Sequence, residues 1–210
     1  MNARCRHLTT ARAAIGGIGV WLLAEGVAAG QNLRDLARQQ GGRATTTYNA
    51  ELPVIQVPEL LADSDLVLRG YVAGVRPRLN LDESIVVTEY AVVPLQIFKQ
   101  RRPLTLAKPD QAHPILVWVP GGELTEGGLQ MSTKSNIQTD AEALKAGEDV
   151  ILFLFYRPDM RVYVLTDGPF SAFRIQERVV TPLTEEVVKR RGDRPVDIAT
   201  FMNALAYRPR

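Results

Sequence analysis

The spacing of apolar and polar positions changes several times along this chain, and each change marks an element. Leu33, Leu36 and Ala37 predict a short helix ended by Gly41-Gly42, and Thr45-Thr46-Thr47 reads as polar and extended. Pro58 before Glu59-Leu60-Leu61-Ala62 predicts a second short helix with proline in its first turn, broken by Asp63-Ser64-Asp65. From Leu66 the period becomes two. Leu66 to Arg76 is rich in β-formers, and Gly70 and Gly74 within it predict a bulge or sharp coiling. Turn residues Pro77, Asn80 and Asp82 follow. Ile85 to Phe98 then predicts a long strand, with Ile85, Val87, Ala91, Val93, Leu95 and Ile97 in one alternating row. Pro94 inside it predicts an edge position or a bend.

The second half is more compact. Ile115 to Val119 reads as a strand ended by Pro120-Gly121-Gly122, and Gly127-Gly128 opens a short extended piece through Met131. Asp140 to Lys145 predicts a helical turn closed by Gly147. Val150 to Tyr156 is continuously apolar, which requires burial on both faces or a place at a barrel seam. Arg157-Pro158-Asp159 turns into Val162 to Leu165, and Asp167-Gly168-Pro169 turns into Phe170 to Ile175. About six strands joined by short turns predict a small closed or nearly closed antiparallel β-barrel. The tail differs in character. Thr184 to Lys189 starts one helix, and Asp197 caps another, with Ile198, Phe201, Met202 and Leu205 on one stripe that packs on the barrel.

The first thirty residues follow another logic. Arg4, Arg6 and Arg12 precede the uncharged run Ala13 to Ala24, and Val27-Ala28-Ala29-Gly30 follows. Basic, apolar and small-residue regions in that order form the pattern of a secretory signal peptide. The run falls short of the roughly 20 residues needed to span a bilayer, so the expectation is export with cleavage near Ala29 or Gly30. Contact with a membrane is then limited to export, and the destination is the periplasm or the exterior. Cleavage would remove Cys5, His7, three arginines and Glu25, taking the formal charge from +2 to neutral. A neutral, cysteine-free chain has neither disulfides nor the electrostatic surplus that nucleic-acid binding requires. Residues 31–210 suffice for one domain with a real core. The boundaries read as 1–30 signal peptide, 31–57 extended lead-in, 58–178 barrel and 179–210 helical tail.

Catalytic chemistry finds little support. His113, the one histidine outside the leader, sits between Ala112 and Pro114 with no nucleophile or carboxylate beside it in sequence, and no serine lies in a Gly-x-Ser-x-Gly context. The expectation is that His113 is dispensable. Zinc lacks ligands, and Asp63/Asp65 and Asp82/Glu83 lack the spacing of a calcium loop. Gly121-Gly122 and Gly127-Gly128 are followed by no lysine-serine or lysine-threonine pair, so they read as turn formers rather than a phosphate loop. Two basic clusters stand out, Lys99, Arg101 and Arg102 after Phe98, and Lys189, Arg190, Arg191 and Arg194 in the tail. A single-strand binder would pair such clusters with aromatic platforms, yet Tyr156, Tyr163, Phe170 and Phe173 fall in apolar runs and read as core. No catalytic, cofactor-binding or metal-binding residue is assigned.

An ordered set of segments carries a family likeness. These are Leu61-Ala62-Asp63-Ser64-Asp65-Leu66-Val67-Leu68-Arg69-Gly70-Tyr71-Val72, the strand holding Thr88, Val92 and Phe98-Lys99, then Ile115-Leu116-Val117-Trp118-Val119-Pro120-Gly121-Gly122. Leu144-Lys145-Ala146-Gly147-Glu148-Asp149-Val150-Ile151-Leu152-Phe153-Leu154 follows, with Gly168-Pro169-Phe170 ahead of Phe173-Arg174-Ile175. Across Leu60 to Gln176 the chain resembles an uncharacterised group of bacterial exported domains. Those are similar to the oligonucleotide/oligosaccharide-binding (OB) type barrel of netrin-like modules and tissue metalloproteinase inhibitors. The resemblance implies a mainly β fold, an OB-like barrel with a short N-terminal helix and a C-terminal helical tail. It implies no functional residue, because those inhibitors present a disulfide-braced N-terminal cysteine that this chain lacks. The functional expectation is a non-catalytic exported module that binds a protein or cell-envelope component, with Pro120 to Gly128 as a contact loop. A protease-inhibitor-like module without cysteines and a carboxylate-dependent hydrolase are the alternatives.

Overall fold

The structure is a computed structural model that describes residues 32–49, 56–101, 114–135, 143–184, 192 and 194–206. The fold is mainly β. Helix α1 (Leu33–Gln39) leads into β1 (Arg43–Tyr48), and α2 (Val57–Asp63) leads into the long pair β2 (Leu66–Leu79) and β3 (Val86–Gln100). Strands β4 (Ile115–Pro120), β5 (Gly122–Glu126), β6 (Leu129–Ser135), β7 (Asp149–Arg157), β8 (Val162–Pro169), β9 (Ala172–Gln176), β10 (Val179–Pro182) and β11 (Val196–Asp197) follow, and α3 (Ile198–Ala206) ends the described chain.

Eight strands make one sheet in the order β11-β10-β9-β7-β2-β3-β4-β8, and β7 also pairs with β8. Each of β2, β3, β4, β8 and β7 is therefore bonded to two others of that set. Neighbours in it are antiparallel except β4 and β8, which run parallel through Val117↔Tyr163 and Trp118↔Val164. The sheet is thus mixed rather than purely antiparallel, which corrects the expectation. Side chains inside the set, among them Leu66, Leu68, Tyr90, Val92, Val117, Leu152, Leu154 and Leu165, form the main core.

Strand β7 is buried on both faces from Val150 to Leu154, while Phe155 near the end of its apolar run is 43% exposed. The strand pairs β9 over Asp149 to Leu152, β8 over Leu154 to Arg157, and β2 along its other edge. Val150, Leu152 and Leu154 face the main core, while Ile151 and Phe153 face a second one beneath α2 and α3. Asp197 Oδ1 accepts the Ala199 N–H at 2.9 Å, the cap expected of it, and α3 sets Leu205 and Phe201 into that second core.

The β2–β3 pairing shifts register three times. Opposite Arg69 and Gly70 stand Gln96 and Pro94, so Leu95 is the extra residue and is 57% exposed. The row that begins with Ile85 and Val87 on the face away from the main core therefore changes face, and Ile97 packs on the main core. Pro94 lies beyond the reach of β4, whose pairing covers only Val87 to Val92. The backbone there needs no ladder donor, and proline is tolerated in an otherwise central strand. Gly70 opposite it is required by close approach, since a Cβ would meet Val92 Cγ1 at 2.6 Å.

Residues 31–57 are not simply an extended lead-in. β1 pairs in parallel with β6, and β6 with β5, giving a separate three-stranded sheet. α1 packs on it through Leu33 and Ala37, against Ala44, Met131, Leu79 and Val86. Nor is 179–210 purely helical, because β10 and β11 extend the large sheet before α3. The predicted helix from Thr184 to Lys189 and the helical turn from Asp140 fall largely outside the described residues, as do the proposed leader and His113.

Candidate ligand cleft

Glu89 breaks the apolar row of β3. Alternation places it on the face of the sheet away from the main core, opposite Arg76 on β2 and Trp118 on β4. It is nevertheless only 2% exposed. Burying a carboxylate is costly unless its oxygens are bonded, and here three donors converge on it. Arg76 Nε donates to Oε1 at 2.6 Å, while Arg78 Nη1 and Trp118 Nε1 donate to Oε2 at 3.0 and 2.7 Å. Burial alone pushes the Glu89 carboxyl up, but the bonds from Trp118, Arg76 and Arg78 outweigh it and hold the group below its ordinary range. The Arg78 guanidinium lies 4.8 Å from the centre of the Trp118 ring, a cation–π arrangement that helps close the outer face. Val87 and Val162 flank the indole, which is buried.

These arginines border a cleft of about 510 Å³ between the end of β2, the β2–β3 turn, α1 and β5. Arg34 reaches in from α1, donating to Glu83 at 3.3 Å and to Glu126 at 2.7 Å. The Glu126 bond and the Glu83 contact raise the Arg34 pKa against a smaller desolvation effect. Leu33 N–H donates to the Glu83 carbonyl at 2.7 Å and fixes α1 against the turn. Pro77, Leu79, Leu81 and Leu124 supply apolar wall. Arg76 bonds only through Nε among the described residues, so its two terminal nitrogens have no protein acceptor there, and neither does Nη2 of Arg78.

The residues singled out in the sequence fare differently. Pro120 to Gly128 is no loop, since Gly122–Glu126 is strand β5 and Gly127-Gly128 is its tight turn to β6 with φ of 58° and 79°. Leu124 and Glu126 of that strand do line the cleft. Lys99 Nζ donates to the Leu61 and Ala62 carbonyls, the latter at 2.8 Å, and Arg101 Nη2 also donates to Ala62 O. These cations thus serve the last carbonyls of α2. Arg194 lies beside an apolar hollow of about 230 Å³ under α3, while Arg102, Lys189, Arg190 and Arg191 are outside the described residues. Tyr156 and Tyr163 are in tilted contact at 5.1 Å, and Phe173 lies between Phe153 at 5.8 Å and Phe201 at 5.0 Å.

The acidic pairs serve local structure. Asp65 Oδ2 accepts the Tyr156 N–H at 3.1 Å, and Asp82 Oδ1 accepts both the N–H and the hydroxyl of Ser84 in the turn. Those Ser84 bonds hold the Asp82 carboxyl below its usual range. No group of three or more metal-ligating side chains occurs among the described residues.

Sequence reasoning passed over Glu89, Arg76, Arg78 and Arg34. One signal was available: a glutamate in a row of Ile, Val, Ala and Leu must either spoil the strand or be paired. Comparison with protein-family models, with curated proteins and with solved structures returns no match to this chain.

Proposed function

We propose that the protein is an exported, non-catalytic binding module whose contact site is the cleft beside Glu89. The observation that carries this reading is the pair Arg76 and Arg78, held by a buried carboxylate while their remaining donors border an open cleft. A volume of this order suits a ligand or a side-chain-sized part of a partner. The anchoring limits the conformational freedom that each arginine loses on binding. Glu89 is held toward its ionised form, the opposite of what a general acid in a carboxylate-dependent hydrolase requires.

The finer fold belongs to the same proposal. The pairing circuit β2-β3-β4-β8-β7, with one parallel contact between β4 and β8, supports an OB-type barrel of the netrin-like kind. In such barrels the second and third strands present the binding face, and Glu89 and Trp118 lie on those strands here. Export rests on the pattern of residues 1–30; none of the described helices is long and apolar enough to cross a membrane.

The test uses residues 31–210, which contain no cysteine. A maleimide label at Leu81→Cys, on the cleft wall, should abolish capture of a partner from cell-envelope extract. The same label at Leu95→Cys, on the β3 bulge, should leave it intact. Equal capture by both labelled proteins would remove the cleft from the contact surface.

A further inference from the structure

Resting on that reading, we propose that the cleft recognises the free C-terminal carboxylate of an extended peptide with an apolar last residue. Three features select this ligand. The first is donor geometry. Both terminal nitrogens of Arg76 and one of Arg78 are without protein acceptors among the described residues, and a guanidinium fork matches a planar carboxylate in a bidentate way.

The second is charge. Arg34, Arg76 and Arg78 are balanced by Glu83, Glu89 and Glu126 in and beneath the cleft. A formally neutral site provides no field for a polyanion or a phosphate dianion, whereas a monoanion bonded directly to two guanidiniums needs none. Glu83 and Glu126 repel additional negative charge on the ligand.

The third is the cleft wall. Pro77, Leu79, Leu81 and Leu124 give apolar surface beside the arginines, and Leu81 is 62% exposed. Among the described residues β5, which carries Leu124 and Glu126, is an end strand of its sheet. Its outer edge therefore offers main-chain groups for strand addition by an extended chain. Carboxylate capture at the arginines, an apolar side chain on the leucines and main-chain pairing along β5 describe one ligand.

The experiment titrates residues 31–210 with pooled acetyl-tripeptides ending in Leu, Val or Phe, as free acids and as amides, following Trp118 emission. Trp118 is the only tryptophan in that chain. The acids should give a saturable change, with the amides and inorganic phosphate at least about tenfold weaker. Arg76→Lys keeps a cation beside Glu89 but loses the fork. It should weaken acid binding about tenfold while leaving the melting temperature unchanged.

Equal binding of amides, tighter binding of phosphate, an unaffected Arg76→Lys protein, or no saturation by the acids would each overturn the proposal. The label experiment at Leu81 decides separately whether the cleft binds a partner at all.

Discussion

Two parts of the large sheet, both on its face away from the main core, solve the same problem by opposite means. Under α2 and α3, the wall of β2, β7 and β9 is covered by aliphatic and aromatic side chains, with Phe153, Phe173 and Phe201 in tilted contact. At the far end of β2 and β3, the wall is closed by Glu89, two arginines and an indole. The first arrangement depends on area removed from water and tolerates inexact direction. The second depends on three hydrogen bonds of fixed direction to one carboxylate. Apolar residues of similar volume would often stabilise as well or better. What the charged arrangement supplies is a pair of oriented guanidiniums beside a cleft.

Core truncation should have the largest effect. Phe153→Ala removes a fully buried ring from the covered wall and should cost about 3–5 kcal/mol in urea unfolding; a cost below that of any cleft variant would invert the contrast. Glu89→Ala should cost less, about 1–3 kcal/mol, since Arg76 and Arg78 regain water while the Trp118 N–H stays buried without an acceptor.

The bonded carboxylate also sets a pH dependence. The folded Glu89 carboxyl titrates below its ordinary value of 4.5, so the unfolded state binds the proton more readily. Its stabilisation is complete above that value and is lost as pH falls through the folded pKa. The melting temperature should therefore hold from neutral pH to about pH 5 and fall below it, with a shallower fall in Glu89→Gln. Asp82 and Asp159, both held low, contribute slope of the same sign in either protein. The smallest effect belongs to Glu126→Gln, an exposed partner of Arg34, which should change stability by no more than about 0.5 kcal/mol.

Much of the framework was legible because local rules dictate it. The apolar run of β7 pointed to burial on both faces, which holds from Val150 to Leu154, and Asp197 announced α3. The site was harder to read because its partners come from three strands. Arg76 meets Glu89 only because the register slips between Val72 and Gly74; without that extra residue Val75 would stand there. Nothing in the composition of either strand specifies that slip beyond the hint of the glycines. The small sheet was hidden for a related reason. β1 is polar, and its partner β6 lies more than eighty residues away in parallel, so no turn signal links them.

Strand β7 also orders events in time. Leu66 near the start of the domain pairs with Leu154, and Val117 pairs with Tyr163. The main core therefore lacks two walls until β7 and β8 have both been delivered. Closing loops of this length precedes any reward from the contacts they bring, which slows folding relative to a chain of local hairpins. A nascent chain emerging from its N-terminus can assemble the β2–β3 pair but has nothing to close it against. That late closure is a built-in delay: the main core cannot be completed until the chain has been made as far as Pro169, the end of β8.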